Sequence, residues 1–197
     1  MVLYGPSTWQ GLNREDWPFE WRRGTYTEGS RASVRSNEGQ LAGRAGFEWL
    51  SYRANTQYAY YNAVTEFAFR FVQGDVIAGA ALRADDTIRN QDGYYLEWQQ
   101  NGTVNLFRVV NGNRTQIANT TSGVAFNMNT LYRAKFGIVG NELRAKFWQG
   151  ATEPTTWTLT FTDTEEYAMS GACGLYARGG AQDGAVRFDN YLIREGF

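Results

Sequence analysis

The chain has 197 residues, 43% of them apolar and 16% aromatic, which suits one globular domain able to bury about 70% of its unfolded surface. A single cysteine and no histidine exclude an internal disulfide, a Cys/His zinc site and any mechanism built on a His base, leaving carboxylates, Lys or Tyr for proton transfer. A net charge of -1, with the arginines scattered, gives no footprint for nucleic acid.

The start MVLYGPSTWQ has no charged n-region or apolar h-region, and no run approaches the ~20 apolar residues of a membrane span, so neither a leader nor membrane insertion is expected. Residues 1–40 are rich in polar and turn-forming types. They are expected to form a loop-rich segment packed on a single domain covering 1–197, with Trp9, Trp17 and Trp21 either stapling it over a sheet edge or forming an exposed platform. The following stretch, FEWLSYRANTQYAYYN, carries Trp49, Tyr52, Tyr58, Tyr60 and Tyr61, more aromatics than alternate burial absorbs, so part of it should meet solvent, a ligand or a partner protein.

From about residue 40 onward, segments of six to nine residues alternate apolar and polar with period two, and none keeps helical spacing for long. TEFAFRFV puts Phe67, Phe69 and Phe71 on one face. GYYLEWQQ sets Tyr94, Leu96 and Trp98 against Tyr95, Glu97 and Gln99. LYRAKFGIV keeps Tyr132, Ala134, Phe136 and Ile138 in register, ELRAKFW does so with Leu143, Ala145 and Phe147, and TWTLTFT turns Trp157, Leu159 and Phe161 inward. Asn101-Gly102, Asn111-Gly112 and Gly140-Asn141 mark hairpin turns that want positive φ. Cys173, in GACGLYA, reads as a buried thiol. The pattern predicts an all-β, two-sheet antiparallel β-sandwich of jelly-roll type.

The closing segment GAVRFDNYLIREGF changes parity. Val186 and Phe188 are out of step with Tyr191 and Ile193, so keeping all four in one core requires an extra residue at Asp189-Asn190.

Three ordered stretches also resemble concanavalin A-like lectin/glucanase modules of the laminin-G-like sort. GAALRADDTIRNQDGYYLEWQQNGTVNLFRVVNG resembles their middle strands. LYRAKFGIVGNELRAKFWQGATEPTTWTLTFTD resembles the next stretch, and GLYARGGAQDGAVRFDNYLI the closing strand. The resemblance implies a jelly roll but no activity, because this fold serves lectins, glucanases and inert spacers alike. It further implies a virion surface or tail module of a bacteriophage, contacting other virion proteins and host-surface glycans, with self-association left open and no cofactor required. In several such enzymes the Asp matching Asp189 helps hold a structural calcium with backbone carbonyls of the N-terminal segment. The simpler reading has Asp189 and Asn190 bonding loop amides and tying the chain ends together.

Strand parity makes Arg83, Tyr95, Glu97, Gln99 and Arg108 the candidate glycan-binding residues of the wet sheet face, since Leu82, Leu96, Trp98, Phe107 and Val109 read as core. A planar Tyr and a forked Arg can stack on a pyranose and bond its hydroxyls; the same residues equally suit a solvated face of cross-strand pairs. Hydrolysis would need two carboxyls about 5–5.5 Å apart, or about 6.5–9.5 Å for inversion. The E-x-D-x-x-E strand of the related glucanases is missing from this chain, and Glu15, Asp16, Glu20, Asp85, Asp86, Asp163, Glu165 and Glu166 fall in loops and turns. Glu66 with Glu97 is the pair left to test, and a non-catalytic module is expected.

Overall fold

A computed structural model of the protein describes residues 2–7, 21–26, 31–43, 48–53, 60–85, 92–123, 125–165 and 170–197. Among these, fifteen strands and no helix form two antiparallel sheets. The eight-stranded sheet holds β1 (Val2–Ser7), β3 (Arg31–Arg35), β4 (Glu38–Gly43), β6 (Ala63–Gln73), β11 (Tyr132–Val139), β12 (Glu142–Gln149), β13 (Leu159–Thr162) and β15 (Gly184–Arg194). The seven-stranded sheet holds β2 (Trp21–Tyr26), β5 (Glu48–Arg53), β7 (Val76–Ala84), β8 (Gly93–Trp98), β9 (Thr103–Val110), β10 (Asn113–Thr121) and β14 (Ala172–Gly179). Their orders are β13-β12-β11-β6-β15-β4-β3, with β1 also on β15, and β10-β9-β8-β7-β14-β5-β2.

The alternation read from the sequence is what makes two layers. Phe67, Phe69 and Phe71 leave β6 toward the seven-stranded sheet, while Glu66 and Arg70 point away from it. Trp98 from β8 meets this row, its ring 5.6 Å from Phe67 and 5.4 Å from Phe69. Tyr132, Ala134, Phe136 and Ile138 of β11 and Leu143 and Ala145 of β12 are buried in the same core. Each large side chain removed from water there contributes about 1.5–3 kcal/mol. Cys173 is buried in this layer too, and burial pushes its thiol well above the usual range.

The parity change in β15 is a bulge at the expected place. Asp189 pairs with Ala68 and Leu192 with Glu66, so Asn190 and Tyr191 stand opposite one residue of β6. Asn190 takes φ +54°, a left-handed value Asn tolerates. Val186, Phe188, Tyr191 and Ile193 consequently all reach the core.

Three expectations need correction. The described part of residues 1–40 is not a loop laid on the domain: β1, β2, β3 and the start of β4 lie within it and extend both sheets. Gly, Pro and Arg dilute the alternation in VLYGPS and WRRGTY, so β15 and β5 supply the pairing that propensity does not. Trp9 and Trp17 lie outside the described residues.

Trp157 is not inward. β13 begins only at Leu159, and the segment before it crosses the outer face of the eight-stranded sheet, where Lys146 Nζ donates to Pro154 O at 2.9 Å and stands 4.6 Å from the Trp157 ring. Lys135 and Lys146 are direct cross-strand partners, a repulsive pair by itself; Glu153 lies 2.6 Å from one and 2.5 Å from the other and offsets that repulsion.

The Asn101-Gly102 turn also differs. Gly102 N donates to Gln99 O at 2.9 Å, so the turn spans Gln99–Gly102 with Gly102 alone at positive φ, whereas Asn111 and Gly112 are both positive as a type I′ turn requires.

Candidate functional site

The outer face of the seven-stranded sheet is built around an acid. Glu97 of β8 points away from the core with its carboxylate fully out of water, 0% exposed. Arg114 of β10 donates Nη2 to its Oε1, and Arg178 of β14 donates Nη2 to Oε2 at 3.1 Å. Both oxygens of one buried carboxylate are thereby neutralised by guanidinium groups arriving from either side across the sheet. Gly79, paired with both Glu97 and Tyr176, leaves room for a ring: a Cβ there would fall 2.2 Å from Tyr176 Cε1. Tyr176 accordingly lies flat over β7 and meets Tyr95 edge-on at 5.7 Å. Arg114 stacks 3.9 Å over Phe107.

Beside this network, at the end of the sheet where the β6–β7 and β8–β9 turns and the end of β14 converge, lies a cleft of about 380 Å³. Its lining is Asp75, Ile77, Gln99, Gln100, Asn101, Arg178 and Gly180. Two close approaches hold its walls. Gly180 lets the Asp75 carboxylate close in, since a Cβ would sit 2.2 Å from Asp75 Oδ2 and push that side chain aside, and Gly74, at φ +60°, packs against Asp183 O. Asp75 accepts Ala181 N–H on Oδ2 at 2.9 Å and Gly180 N–H on its carbonyl at 2.8 Å, while Gln100 Nε2 donates to Gly74 O at 2.7 Å. The result is a held rim of carboxylate, amide and guanidinium groups over the apolar Ile77.

Of the five candidates read from the sequence, Tyr95, Glu97 and Gln99 share the outer face, but Tyr95 and Glu97 are buried in it rather than wet. Only Gln99 reaches the cleft. Arg83 belongs elsewhere: it takes φ +49° at the irregular end of β7, is 1% exposed, and donates Nε to Tyr61 O at 2.8 Å and Nη2 to Gly140 O, tying the two sheets together. Arg108 is on the inner side, reversing the expected parity of β9. Hairpin pairing sets Leu96 against Leu106 and Tyr95 against Phe107, so Val104 and Leu106 take the core and Phe107 and Val109 the outer face. Arg108 then meets Asp163 Oδ1 at 2.6 Å and Glu165, while Tyr94 Oη donates to Asp163 Oδ2 at 2.8 Å. Asp75, Gln100 and Arg178 are not singled out by sequence, and Asn101 is read there only as a turn residue. The alternation of GLYARG, which places Tyr176 and Arg178 on one face, was the available signal.

The carboxyl pair Glu66 and Glu97 does not form. Glu66 pairs with Lys135 on the outer face of the eight-stranded sheet and Glu97 lies on the outer face of the other, with the whole core between them. Asp189 is half-buried beside Glu38 and Arg70, and its carboxylate accepts Asn190 N–H at 2.8 Å and Asn190 Nδ2 at 3.1 Å. Among the described residues no group of three acidic, His or Cys side chains stands where a metal could be held; the N-terminal segment, whose backbone carbonyls would supply most of the six to eight oxygens calcium wants beside Asp189, lies in part outside the described residues. The chain ends are tied together, but by the β1–β15 ladder rather than by loop amides on Asp189.

Burial, with repulsion from Glu38, raises the Asp189 carboxyl above its ordinary value, against the Asn190 N–H bond and Arg70. The folded state therefore binds the proton more tightly than the unfolded chain, and stability present below the unfolded value near 3.9 is lost as pH rises through the folded value. Asp189→Asn is expected to abolish that decline, which denaturant midpoints measured from pH 3 upward would show; an unchanged slope would contradict it.

No protein-family model matches the chain, and no curated protein matches it in sequence. Solved structures match it in fold. The carbohydrate-binding module CBM66 from Bacillus subtilis superposes with a TM-score of 0.67 at 16% identity, covering 89% of this chain and 96% of that one. The fold is the concanavalin A-like jelly roll. Within it, the carbohydrate recognition domain of Emp47p gives a TM-score of 0.65 at 16% identity over 98% of both chains. Bacillus licheniformis beta-glucanase gives 0.64 at 12% identity over 94% and 98%. The neighbours of this fold thus include carbohydrate-binding domains and a beta-glucanase, and one, the exoplasmic/lumenal domain of VIP36, was solved in a Ca2+/Man3GlcNAc-bound form.

Proposed function

We propose that this chain is a non-catalytic carbohydrate-binding module whose ligand seat is the cleft of Asp75, Gln99, Gln100, Asn101 and Arg178. The observation that carries the reading is the make-up of that cleft: charged and amide groups, several fixed by backbone bonds, around a small apolar floor. Sugars present hydroxyls that both donate and accept, beside apolar C–H patches, and such a rim matches them. Support for binding without turnover comes from the carboxylates at hand: Asp75, the cleft's own acid, accepts Ala181 N–H on Oδ2, and Glu97, two residues before Gln99, has both oxygens committed to Arg114 and Arg178. The setting we assign is the surface or tail of a bacteriophage particle, with host glycan as ligand and other virion proteins as neighbours; the ordered sequence motifs support it.

Glycan-array screening of the purified chain tests the proposal. Binding to a defined glycan is expected, weakened about tenfold by Asp75→Asn through loss of one charge-assisted hydrogen bond. Silence across a broad array would overturn it, and release of reducing sugar from the bound glycan would favour a glucanase-like hydrolase instead.

A further inference from the structure

The seven-stranded sheet ends on β10, a nine-residue strand, NRTQIANTT, that is exposed over most of its length. Among the described residues no strand pairs with its outer edge. Edges this long are normally guarded by charges, Pro or a bulge; β10 has no Lys, Asp, Glu or Pro, and its one bulge leaves outward-facing residues on both sides of it. Its only charge, Arg114, is drawn to Glu97.

The register of β10 determines what that edge offers. Across the two-residue Asn111-Gly112 turn, Val110 and Asn113 are a hydrogen-bonded pair, so Asn113 and Thr115 aim their backbone groups into β9 and Arg114 and Gln116 aim theirs outward. The register then slips between Gln116 and Ala118, placing Ile117 and Ala118 together opposite Leu106. Beyond the slip the parity is reversed: Ala118 and Thr120 turn inward, Asn119 and Thr121 outward. The outward set, Arg114, Gln116, Asn119 and Thr121, is therefore symmetric about the bulge. Their side chains also share one side of the sheet, since their β9 partners Val109, Phe107, Asn105 and Thr103 alternate with the core residues Leu106 and Val104.

We propose that this edge pairs antiparallel with β10 of a second copy of this chain, Gln116 opposite Asn119 and Arg114 opposite Thr121, about a two-fold axis at the bulge. Each outward N–H then meets an outward C=O of the partner, no like charges face one another, and the two seven-stranded sheets become one. The outer faces with their Glu97 networks join into a single surface, so a ligand presented in many copies would be held at two clefts at once.

Sedimentation velocity at tens of micromolar tests this. The wild type is expected at twice the 22.3 kDa chain mass. Gln116→Lys with Asn119→Lys sets two repulsive cross-pairs at exposed positions and should halve the mass. Gln116→Glu with Asn119→Lys sets two attractive ones and should keep the dimer, now weakened by salt. Matching melting curves of the two double variants confirm that both are folded. A wild-type monomer, a dimer indifferent to the paired lysines, or a monomer with the opposite charges would each overturn the proposal.

Discussion

Glu97→Gln is expected to lower the stability of the domain by about 2–3 kcal/mol, which for a chain of this size moves the melting temperature down by roughly 5–10 °C. The carboxylate is fully buried and takes one guanidinium on each oxygen. Glutamine keeps the volume but supplies no charge, and its amide nitrogen would face a donor. Removing one member of a fully buried pair costs about 3–5 kcal/mol; here the cost falls to the bottom of that range or just below it, because water can partly rehydrate the arginines. Their side chains are 27% and 29% exposed. Arg178 is also a wall of the cleft, so freeing it should weaken glycan affinity beyond the loss of stability. Thermal melts and binding isotherms on the same variant read both effects, and a melting temperature within a degree of wild type would show that the triad is not holding this face.

Phe69→Ala should cost more, about 3–5 kcal/mol, the range for an aromatic truncated in a packed core. Its ring lies at the crossing of both layers. It is 5.4 Å from Trp98 on the opposite sheet, 5.8 Å from Phe71 and Tyr132, and 5.9 Å from Phe126. Phe126 reaches this cluster from a segment whose backbone N–H bonds Gln100 O at 2.8 Å, so a cavity at Phe69 would loosen the cleft rim from beneath. A urea midpoint shift with an unchanged slope is the expected signature. A loss below about 1 kcal/mol would mean that the neighbours collapse into the space.

The layers were legible in the sequence because period-two alternation is a local property: one parity is wholly apolar in β8 and β11, and also in the middle of β6 (Phe67, Phe69, Phe71) and of β12 (Leu143, Ala145, Phe147). The same reasoning located the β15 bulge, since four core residues in two parities admit one arrangement. Strand β9 shows where it fails. TVNLFRVV carries apolar residues in both parities, and only the hairpin register, which is non-local, decides that Leu106 goes in and Phe107 out; Arg108 moved with that decision. Arg83 was unreadable for a different reason, because an irregular, positive-φ residue has no parity to extrapolate. The cleft residues come from two turns and a strand end that the topology brings together, and no window of sequence contains them.

Val2 stands opposite Arg194 in the β1–β15 ladder, so the start of the first strand and the end of the last lie side by side. A domain with neighbouring exits can be spliced into a surface loop of a host protein without spreading that loop apart. For the same reason, a short glycine-rich bridge from the end of β15 to the start of β1, combined with a cut at the Asn111-Gly112 hairpin, would yield a circular permutant that keeps every ladder described above.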